Sequence, residues 1–553
     1  MNRYLSGLNK RDIDSVGFDP WVMLAVILSL LLFFTGIADH DVWTPDEPRE
    51  TQMALEMVEN GNWLIPMLAG EPFVEKPPLY YWSSAAGMML FGGVWSPATI
   101  ARALSSLFAL LTVCALYLFV HYHLGSRIAV TASLMLITMG GFVEMSHWIR
   151  IDALLTFLIT ASVLFFMDAH IRESSGHLFL GYIFLGLAFL TKGLVAIAVV
   201  SVPLAVLVLM TRGCGRKLYA LHILGGMLML GIIFLWAVSF KNKAGELLFN
   251  EWFWDNQIGR FLGTTRHLGH IHGPTYYLGI IWSVLFPWCF LLFLWVVRPF
   301  RLFKANRKEE ITIIATFLAW AVGVLILLSI AGTKRSVYLF PLLPAFAALF
   351  AWNVQSWPRW LNRFLIVVFG LIAVIGLSLA LFEPVLGESH LESLRFQPKP
   401  LALLFSFLSF LFLIKCRKDT IIRGVGVTAA LYLTAIVSLV PVFDKIKNYP
   451  PVVRQFYQKI PQDRLPSICG WNLDQTTRAL FPYTVDWTIP IVNDEERIRS
   501  ILRGEDPEYS AVIVQTEKSL KTKSPLPETS ILAEESFLTR RGLKLIAGTH
   551  QQM

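Results

Sequence analysis

The sequence predicts an all-α membrane protein with about thirteen transmembrane helices and a small α/β domain at its C-terminal end. Hydrophobic residues make up 55% of the 553-residue chain and charged residues only 16%, whereas typical soluble domains carry about 25% charge. The apolar residues gather in runs close to the roughly 20 residues that a membrane-spanning helix needs. Beyond residue 442 the composition becomes polar, and charged residues and prolines become common.

This composition excludes several classes of protein. A disordered chain and an ordinary soluble enzyme both carry far more charge than this sequence does. The five cysteines are scattered without a CxxC pair, which leaves no basis for a disulfide scaffold or a zinc ribbon. The net charge of +8 is typical of a membrane protein with basic cytoplasmic loops and does not indicate nucleic-acid binding.

Thirteen apolar runs predict the transmembrane helices. The first run, Trp21–Ala38, follows a basic segment and lacks a small-residue cleavage site, so we interpret it as an uncleaved anchor. The run 79–93 is too short to span and predicts an interfacial or re-entrant helix. The other predicted spans are 98–121, 127–145, 153–168, 178–191, 193–210, 219–239, 276–298, 311–331, 337–353, 361–382, 401–415 and 424–442.

The charges of the loops predict the orientation of these spans. Lysine and arginine concentrate in three loops that we assign to the cytoplasm, residues 211–218, 298–310 and 415–423. The first outer loop is mostly acidic instead. We therefore predict a cytoplasmic N-terminus, a transmembrane domain over 1–442 with outer loops at 39–97 and 240–275, and an outer α/β domain over 443–553.

The first outer loop contains the motif W-T-P-D-E-P-R-E, which predicts the start of a helix. Thr44 or Asp46 can cap this helix, with Pro48 in its first turn. Arg49 follows one turn after Asp46 on the same face. Asp46 and Arg49 are therefore either a cap with its ion-pair partner or part of a functional site at the membrane surface, where ionisable residues are costly.

A second charged motif, F-V-E-K-P-P-L-Y-Y-W, lies further along the same loop. Its two prolines keep Lys76 out of a regular helix and hold the pair Glu75–Lys76 extended. Lys76 can then present its ammonium group to a phosphate, with Tyr81 as a further substrate-binding candidate. The alternative is a lysine whose stem lies along the membrane interface beside aromatic residues.

More charged and polar residues follow at the outer ends of other spans. These candidates are Asp152 after the third span, Lys192 in L-T-K-G, and Lys334 and Tyr338 in T-K-R-S-V-Y. Each one alone fits an ordinary solvated loop. Together with the first outer loop they predict one cationic cavity containing a few carboxylates, which fits a phosphorylated lipid substrate.

The outer loop 240–275 adds further candidates. Arg260 and Arg266 suit phosphate binding. His267 is a possible ligand of a divalent ion such as zinc, together with Glu75, although the histidine spacing is not a zinc motif. The sequence contains no Walker A motif and no G-x-G-x-x-G, which argues against an ATP-driven pump and a nucleotide-sugar enzyme.

Five motifs together resemble one family, the bacterial lipid A aminoarabinose transferases. These are polytopic glycosyltransferases of the GT-C class and are related to the protein O-mannosyltransferases. The resemblance extends over essentially the whole chain. Relatives carry K-G-K-L-P-x-Y where this chain has T-K-R-S-V-Y, so the lysine and tyrosine are kept and the leucine-proline is missing. The matching motifs are T-P-D-E-P-R-E, F-V-E-K-P-P-L-Y-Y-W, L-T-K-G, N-Q-I-G-R-F and G-T-K-R-S-V-Y.

The resemblance implies a reaction and a location. A 4-amino-4-deoxy-L-arabinose unit would pass from undecaprenyl phosphate to a phosphate of lipid A at the periplasmic face of the inner membrane. The added amine would confer resistance to polymyxin and other cationic peptides. We also expect a monomeric enzyme that needs no cofactor, apart from the possible divalent metal, and no nucleic-acid partner.

Each candidate residue then has an expected role. Lys76, Arg260, Lys334 and Tyr338 would stabilise the leaving phosphate electrostatically. Arg49 would steer the acceptor phosphate, and Asp46 would orient the acceptor or the sugar ammonium, since an anionic phosphate oxygen needs little help from a general base. Asp152 and Glu75 would hold basic side chains in place or bind the metal. A direct displacement would invert the anomeric carbon.

Two alternatives remain at this stage. One is another polyprenyl-phosphate-dependent glycosyltransferase with a different sugar or a protein acceptor, in which Asp46 must act as a base. The other is a lipid flippase or transporter, which we expect to place its polar site near the middle of the membrane between repeated helices. The charges here gather at one face, and the sequence shows no internal repeat.

Overall fold

The fold is given by a computed structural model. It describes residues 20–211, 216–259, 262, 271–293, 308–354, 357–386, 391–416, 419–517, 529–536 and 541–548. In chain order the α-helices and strands are α1 Pro20–Phe34, α2 Glu47–Asn60, β1 Met67–Leu68, β2 Glu71–Pro72, α3 Leu79–Phe91, α4 Pro97–Leu124, α5 Ser126–Ile137, α6 Gly140–His147, α7 Asp152–Arg172, α8 Ser175–Lys192, α9 Leu194–Met210, α10 Arg216–Asn250, α11 Tyr276–Leu285, α12 Lys308–Leu318, α13 Val324–Ile330, α14 Leu343–Asn353, α15 Arg359–Leu381, β3 Phe382–Leu386, β4 Leu391–Phe396, α16 Pro400–Lys415, α17 Thr420–Lys447, α18 Pro450–Gln458, β5 Ile468–Trp471, α19 Gln475–Val485, α20 Glu495–Arg503, β6 Ala511–Glu517, β7 Thr529–Ser536 and β8 Arg541–Gly548.

The apolar helices confirm the predicted class of an all-α membrane protein. The described part of the chain contains eight helices long and apolar enough to cross a membrane, or nine if α5 and α6 form one bent span. Four shorter apolar helices (α1, α9, α11 and α16) accompany them. Every one of the thirteen predicted runs overlaps a helix, while thirteen as the number of complete spans stays a prediction.

One predicted span is broken. The run 127–145 forms two helices, α5 and α6, which meet at an angle of 63°. Trp288 packs into this break, where its indole nitrogen donates to the Thr138 hydroxyl at 3.0 Å. The short run that predicted an interfacial or re-entrant helix forms α3, whose buried face includes Tyr80 and Tyr81.

Several helix ends that carry polar residues meet at one end of the bundle. Helix α7 begins at Asp152, α8 ends at Lys192, and α9 begins at Leu194 after a single-residue turn. The 3₁₀ helix Ser336–Leu342 follows the end of α13 there. Helix α17 ends at Lys447, whose carbonyl accepts a hydrogen bond from the backbone N–H of Thr44 in the first outer loop. This end of the bundle surrounds the site described below.

The C-terminal region forms the predicted α/β structure. Strands β5, β6, β8 and β7 form a four-stranded sheet in that order. Strand β5 pairs in parallel with β6, and the two other pairs are antiparallel. The domain boundary at residue 443 stays a prediction, and α17 continues a few residues past it.

Gly193 occupies a position that glycine alone adopts without strain. Its φ is +76°, and a Cβ there would lie 1.9 Å from the Gln257 side-chain oxygen. That oxygen accepts a hydrogen bond from the Leu194 N–H at 3.1 Å, at the start of α9. We expect Gly193→Ala to lower the free energy of unfolding by about 1–3 kcal/mol.

Thermal unfolding in detergent measures this effect. Gly226→Ala is the matched control, because Gly226 lies within α10 with open space around its Cα and alanine is the better helix former. A melting temperature of Gly193→Ala equal to that of the unchanged chain would contradict the prediction.

Candidate active site

A cavity of about 860 Å³ opens where these helix ends meet. Ten charged side chains from stretches far apart in the sequence line it in the described structure, and they are Asp46, Arg49, Glu50, Glu75, Lys76, Arg150, Asp152, Lys192, Arg335 and Asp474. Apolar side chains from α9 and α13 form another part of the wall. Such a cavity can hold a polar head group beside an apolar chain.

Asp46 lies at the centre of the charged part of this wall. It occupies the cap position before α2, but its side chain makes no cap hydrogen bond. Its carboxylate instead contacts three arginines of the described chain: Arg335 at 3.0 Å, Arg49 at 3.3 Å and Arg150 at 3.4 Å. Burial raises the pKa of Asp46, but the positive charges of Arg335, Arg49 and Arg150 outweigh it and lower the pKa to about 2.

Because of this low pKa, we expect Asp46 to stay ionised at every pH at which catalysis is measured. The ion pairs of Asp46 stabilise the folded protein fully above its ordinary pKa of 3.8 and are lost as the pH falls through the folded value. We expect the catalysed reaction to show no Asp46-dependent change in kcat/KM between about pH 5 and pH 8, because the carboxylate stays ionised throughout. An acid limb that disappears in Asp46→Asn would contradict this prediction.

A second group of charges lies around Glu50, one residue after Arg49. Lys76 donates to the Glu50 carboxylate at 2.9 Å, and Arg49 contacts the same oxygen at 3.3 Å. Glu75 also lines the cavity. The side chains of Lys76 and Arg49 are 14% and 13% exposed, so their positive charges act in a partly dry environment where electrostatic interactions are strong.

A third group joins α7, α8 and the segment after α13. Lys192 forms an ion pair with Asp152 at 2.5 Å, and its ammonium lies 4.6 Å from the centre of the Tyr338 ring. Gln257 completes this wall beside the start of α9. The ion pair is compatible with the expected role of Asp152 in holding a basic side chain, and this role stays a prediction.

A buried ion pair fixes the position of helix α2, which begins directly after Asp46. Arg102 of α4 and Glu47 of α2 are both fully buried and are joined by bonds of 2.5 and 3.2 Å. Arg102 also donates to the backbone carbonyls of Ile37, His40 and Asp41. Glu47 accepts in addition from two backbone N–H groups. This network determines where the first outer loop lies against the bundle.

The C-terminal region contributes residues to the same cavity. Leu473, Asp474, Gln475 and Thr476, around the start of α19, all line it. The Gln475 side-chain oxygen accepts from Arg49 at 2.9 Å, and the Thr476 hydroxyl donates to a backbone carbonyl of the first outer loop at 2.8 Å. The C-terminal region is thus one wall of the site.

Most of the predicted site residues that the structure describes come together here. Asp46, Arg49, Glu75, Lys76, Asp152, Lys192 and Tyr338 all line the cavity. Lys334 is not part of the lining; it is buried, and its ammonium donates to the backbone carbonyls of His272 and Ala331. Tyr81 is 1% exposed and is not part of the lining either.

The candidates Arg260, Arg266 and His267 lie outside the described residues. The described part of the chain holds no group of three or more His, Cys, Asp or Glu that suits a metal ion. Glu75 lines the cavity, and its expected partner His267 lies outside the described residues, so a metal site at Glu75 stays a prediction.

The structure also adds residues to the set of predicted site residues. Glu50 pairs with Lys76, while Arg150 and Arg335 contact Asp46. Gln257 lies in N-Q-I-G-R-F, one of the motifs that carry the family resemblance, but was not named as a site candidate. The residues around the start of α19 had no signal other than a helix-capping pattern at Asp474, whose side chain accepts from Thr477 N–H. The charged motif around Lys334 also pointed to Arg335, which directly follows it, but Arg335 was not named as a site candidate.

The chain is similar in sequence to several known proteins. Residues 21–249 match the family model described as dolichyl-phosphate-mannose-protein mannosyltransferase. An undecaprenyl phosphate-alpha-4-amino-4-deoxy-L-arabinose arabinosyl transferase of Serratia proteamaculans is 26% identical over 407 residues, 71% of this chain and 70% of the relative. The enzyme of the same name from Aeromonas hydrophila is 27% identical over 374 residues, 64% of this chain and 65% of the relative.

Solved structures share the fold. ArnT from Cupriavidus metallidurans, crystallised with undecaprenyl phosphate, superposes with a TM-score of 0.73 at 19% identity, covering 96% of this chain and 98% of ArnT. The archaeal oligosaccharyltransferase AglB from Archaeoglobus fulgidus matches with a TM-score of 0.50 at 11% identity, covering 91% of this chain and 69% of AglB. The chain therefore shares the polytopic membrane fold of ArnT, and its sequence is similar to that of transferases that use a lipid-phosphate-linked sugar.

Proposed function

We propose that the chain transfers 4-amino-4-deoxy-L-arabinose from undecaprenyl phosphate to a phosphate group of lipid A. The observation that carries this proposal is the group of three arginines around Asp46 in a cavity at the end of the membrane helices. The names of the two curated relatives and the undecaprenyl phosphate bound to ArnT support the donor.

The state of Asp46 favours a phosphate acceptor over a hydroxyl acceptor. A hydroxyl must lose a proton as it attacks, and a carboxylate with a pKa of about 2 is a poor base for that step. A phosphate oxygen already carries negative charge and needs no base. Asp46 then serves to hold Arg49, Arg150 and Arg335 in position for an anionic acceptor.

The proposed reaction is a single displacement. An oxygen of the acceptor phosphate forms a bond to the anomeric carbon, and the bond from that carbon to the oxygen of undecaprenyl phosphate breaks. The leaving phosphate takes the bonding electron pair, and Lys76 stabilises the charge that develops on it. The configuration at the anomeric carbon inverts, and no proton transfer is required.

The reaction takes place, in this proposal, at the periplasmic face of the bacterial inner membrane. The basic loops at the opposite ends of the helices support a cytoplasmic location for those ends. The modified lipid A would carry less net negative charge and would bind polymyxin and other cationic peptides more weakly. We propose that the enzyme acts as a monomer. We also propose that it needs no metal ion, because an anionic acceptor is already a nucleophile.

Purified protein in detergent tests the proposal. The protein is mixed with undecaprenyl phosphate-aminoarabinose and lipid A, and mass spectrometry reads the acceptor. We expect lipid A that has gained one aminopentose unit. Transfer to a peptide or to a different sugar acceptor, with none to lipid A, would favour another glycosyltransferase of this class. The absence of any transfer between the added lipids would favour a flippase or transporter, which needs a sealed compartment.

A further inference from the structure

We propose that Arg335 binds the phosphate of the acceptor and is the residue that makes the site select a phosphorylated acceptor. This inference rests on the proposed function and assigns one residue to the acceptor side of the cavity. Arg335 comes from the segment between α13 and the 3₁₀ helix Ser336–Leu342, about 290 residues after Asp46 in the sequence.

Arg335 has fewer ion-pair partners than the two other arginines around Asp46. Within the described structure, one carboxylate faces three guanidinium groups, those of Arg49, Arg150 and Arg335. Arg49 has a second carboxylate partner in Glu50, and Arg150 has one in Glu144. Arg335 forms one ion pair in the described chain, with Asp46, and Asp152 is near enough to act on its charge. Arg335 can therefore turn to a phosphate group that enters beside Asp46 and give up one ion pair, whereas Arg49 and Arg150 would stay held by a second carboxylate.

Exposure distinguishes Arg335 from the other two arginines. Its side chain is 37% exposed, whereas the side chains of Arg49 and Arg150 are 13% and 14% exposed. Arg49 is further held by Gln475, and Arg150 lies 4.6 Å over the ring of Trp148. Arg335 is thus the guanidinium that can turn from Asp46 to an incoming anion at the lowest cost in lost contacts.

The backbone around Arg335 directs its side chain into the cavity. Arg335 is extended, with φ −138° and ψ 151°, so the side chains of Lys334 and Arg335 point in opposite directions. Lys334 is 2% exposed and is held outside the cavity by the carbonyls of His272 and Ala331. The Arg335 carbonyl accepts from the Tyr277 hydroxyl at 3.3 Å. The orientation of Arg335 is therefore built by its neighbours.

A guanidinium group in this place selects by charge and geometry. Arginine binds a phosphate through two parallel N–H···O bonds, which a single hydroxyl cannot accept. Lysine carries the same charge without the fork. A phosphorylated acceptor would gain these bonds from Arg335, while the donor phosphate on the Lys76 side of the cavity would not. The effect of Arg335 should then fall on the acceptor and leave the donor unchanged.

The test compares Arg335→Leu and Arg335→Lys with the unchanged chain in the detergent assay. We expect Arg335→Leu to raise the KM for lipid A about 10- to 100-fold, the loss that follows removal of charge-assisted hydrogen bonds. The KM for undecaprenyl phosphate-aminoarabinose should stay the same, and Arg335→Lys should be intermediate. Arg454→Leu, on the exposed face of α18, is the control with both constants unchanged.

Two results would overturn the assignment of Arg335. One is an unchanged KM for lipid A in Arg335→Leu, and the other is an equal rise for donor and acceptor, which would indicate a general structural role. If the unchanged chain transfers no sugar to lipid A, the proposed function fails. A binding measurement then decides on Arg335 by itself.

That measurement is the shift in melting temperature caused by lipid A and by phosphatase-treated lipid A. The assignment predicts that lipid A stabilises the unchanged chain, that the phosphatase-treated lipid stabilises it less, and that Arg335→Leu does not distinguish the two lipids. Equal shifts in both chains, or no shift in the unchanged chain, would overturn it.

Discussion

Replacing Lys76 with alanine is expected to reduce kcat for sugar transfer about 10²- to 10³-fold, the usual effect of removing one group that stabilises a developing oxyanion. The prolines that follow Lys76 hold it out of a helix, and its ammonium lies at the wall of the cavity, 2.9 Å from Glu50. The fold should survive, because Glu50 keeps its contact with Arg49. Steady-state kinetics with saturating donor and acceptor measure the effect.

Lys445→Ala is the matched control for this substitution. Its side chain is 68% exposed and its ion-pair partner is Glu383, away from the cavity. We expect Lys445→Ala to retain the kcat of the unchanged chain. Turnover of Lys76→Ala at the same rate as this control, in protein with an unchanged melting temperature, would remove Lys76 from the proposed mechanism.

Arg102→Met is expected to lower the free energy of unfolding by about 3–5 kcal/mol, the cost of leaving one partner of a buried ion pair alone. Glu47 would keep its charge at a fully buried position, and three backbone carbonyls would lose their donor. We expect a protein that is recovered from membranes in greatly reduced amount. Thermal unfolding and the yield of folded protein measure the effect.

Arg363→Met serves as the comparison for Arg102→Met, since Arg363 is exposed on α15. It should leave the melting temperature unchanged. The double change Glu47→Leu with Arg102→Leu should not restore stability, because the carbonyls of Ile37, His40 and Asp41 still lack a donor. Full recovery in the double variant would show that the carbonyl bonds of Arg102 contribute little.

The membrane helices were predictable because a long apolar run has few other structures available to it. The alternation of basic and acidic loops then places Asp46, Lys76, Asp152 and Lys192 at one end of the bundle, and all four line one cavity. The break between α5 and α6 was not predictable in the same way. It depends on packing with Trp288, about 150 residues further along the chain.

The predictions for single side chains depended on information that the sequence does not hold. Lys334 and Arg335 are adjacent cations, and tertiary contacts with the segment 271–273 and Tyr277 decide which of them faces the cavity. Gln475 reaches Arg49 across 426 positions of the chain. Arg102 did have a signal, because a lone arginine within an apolar helix is costly unless it is paired.

The convergence of these residues in a periplasmic cavity that binds a lipid phosphate is the central claim. Val195→Cys and Leu473→Cys place thiols in its lining, from α9 and from the segment before α19. Arg127→Cys, at the start of α5, places one at the opposite end of the bundle. A membrane-impermeant maleimide applied from the periplasmic side reports which thiols are reached.

The predicted result is labelling of Val195→Cys and Leu473→Cys above the level of the parent chain, with protection by added undecaprenyl phosphate. Arg127→Cys should be labelled only after the inner membrane is permeabilised. Labelling of the two cavity positions from the cytoplasmic side, or labelling that undecaprenyl phosphate does not reduce, would contradict the proposed site and the function that depends on it.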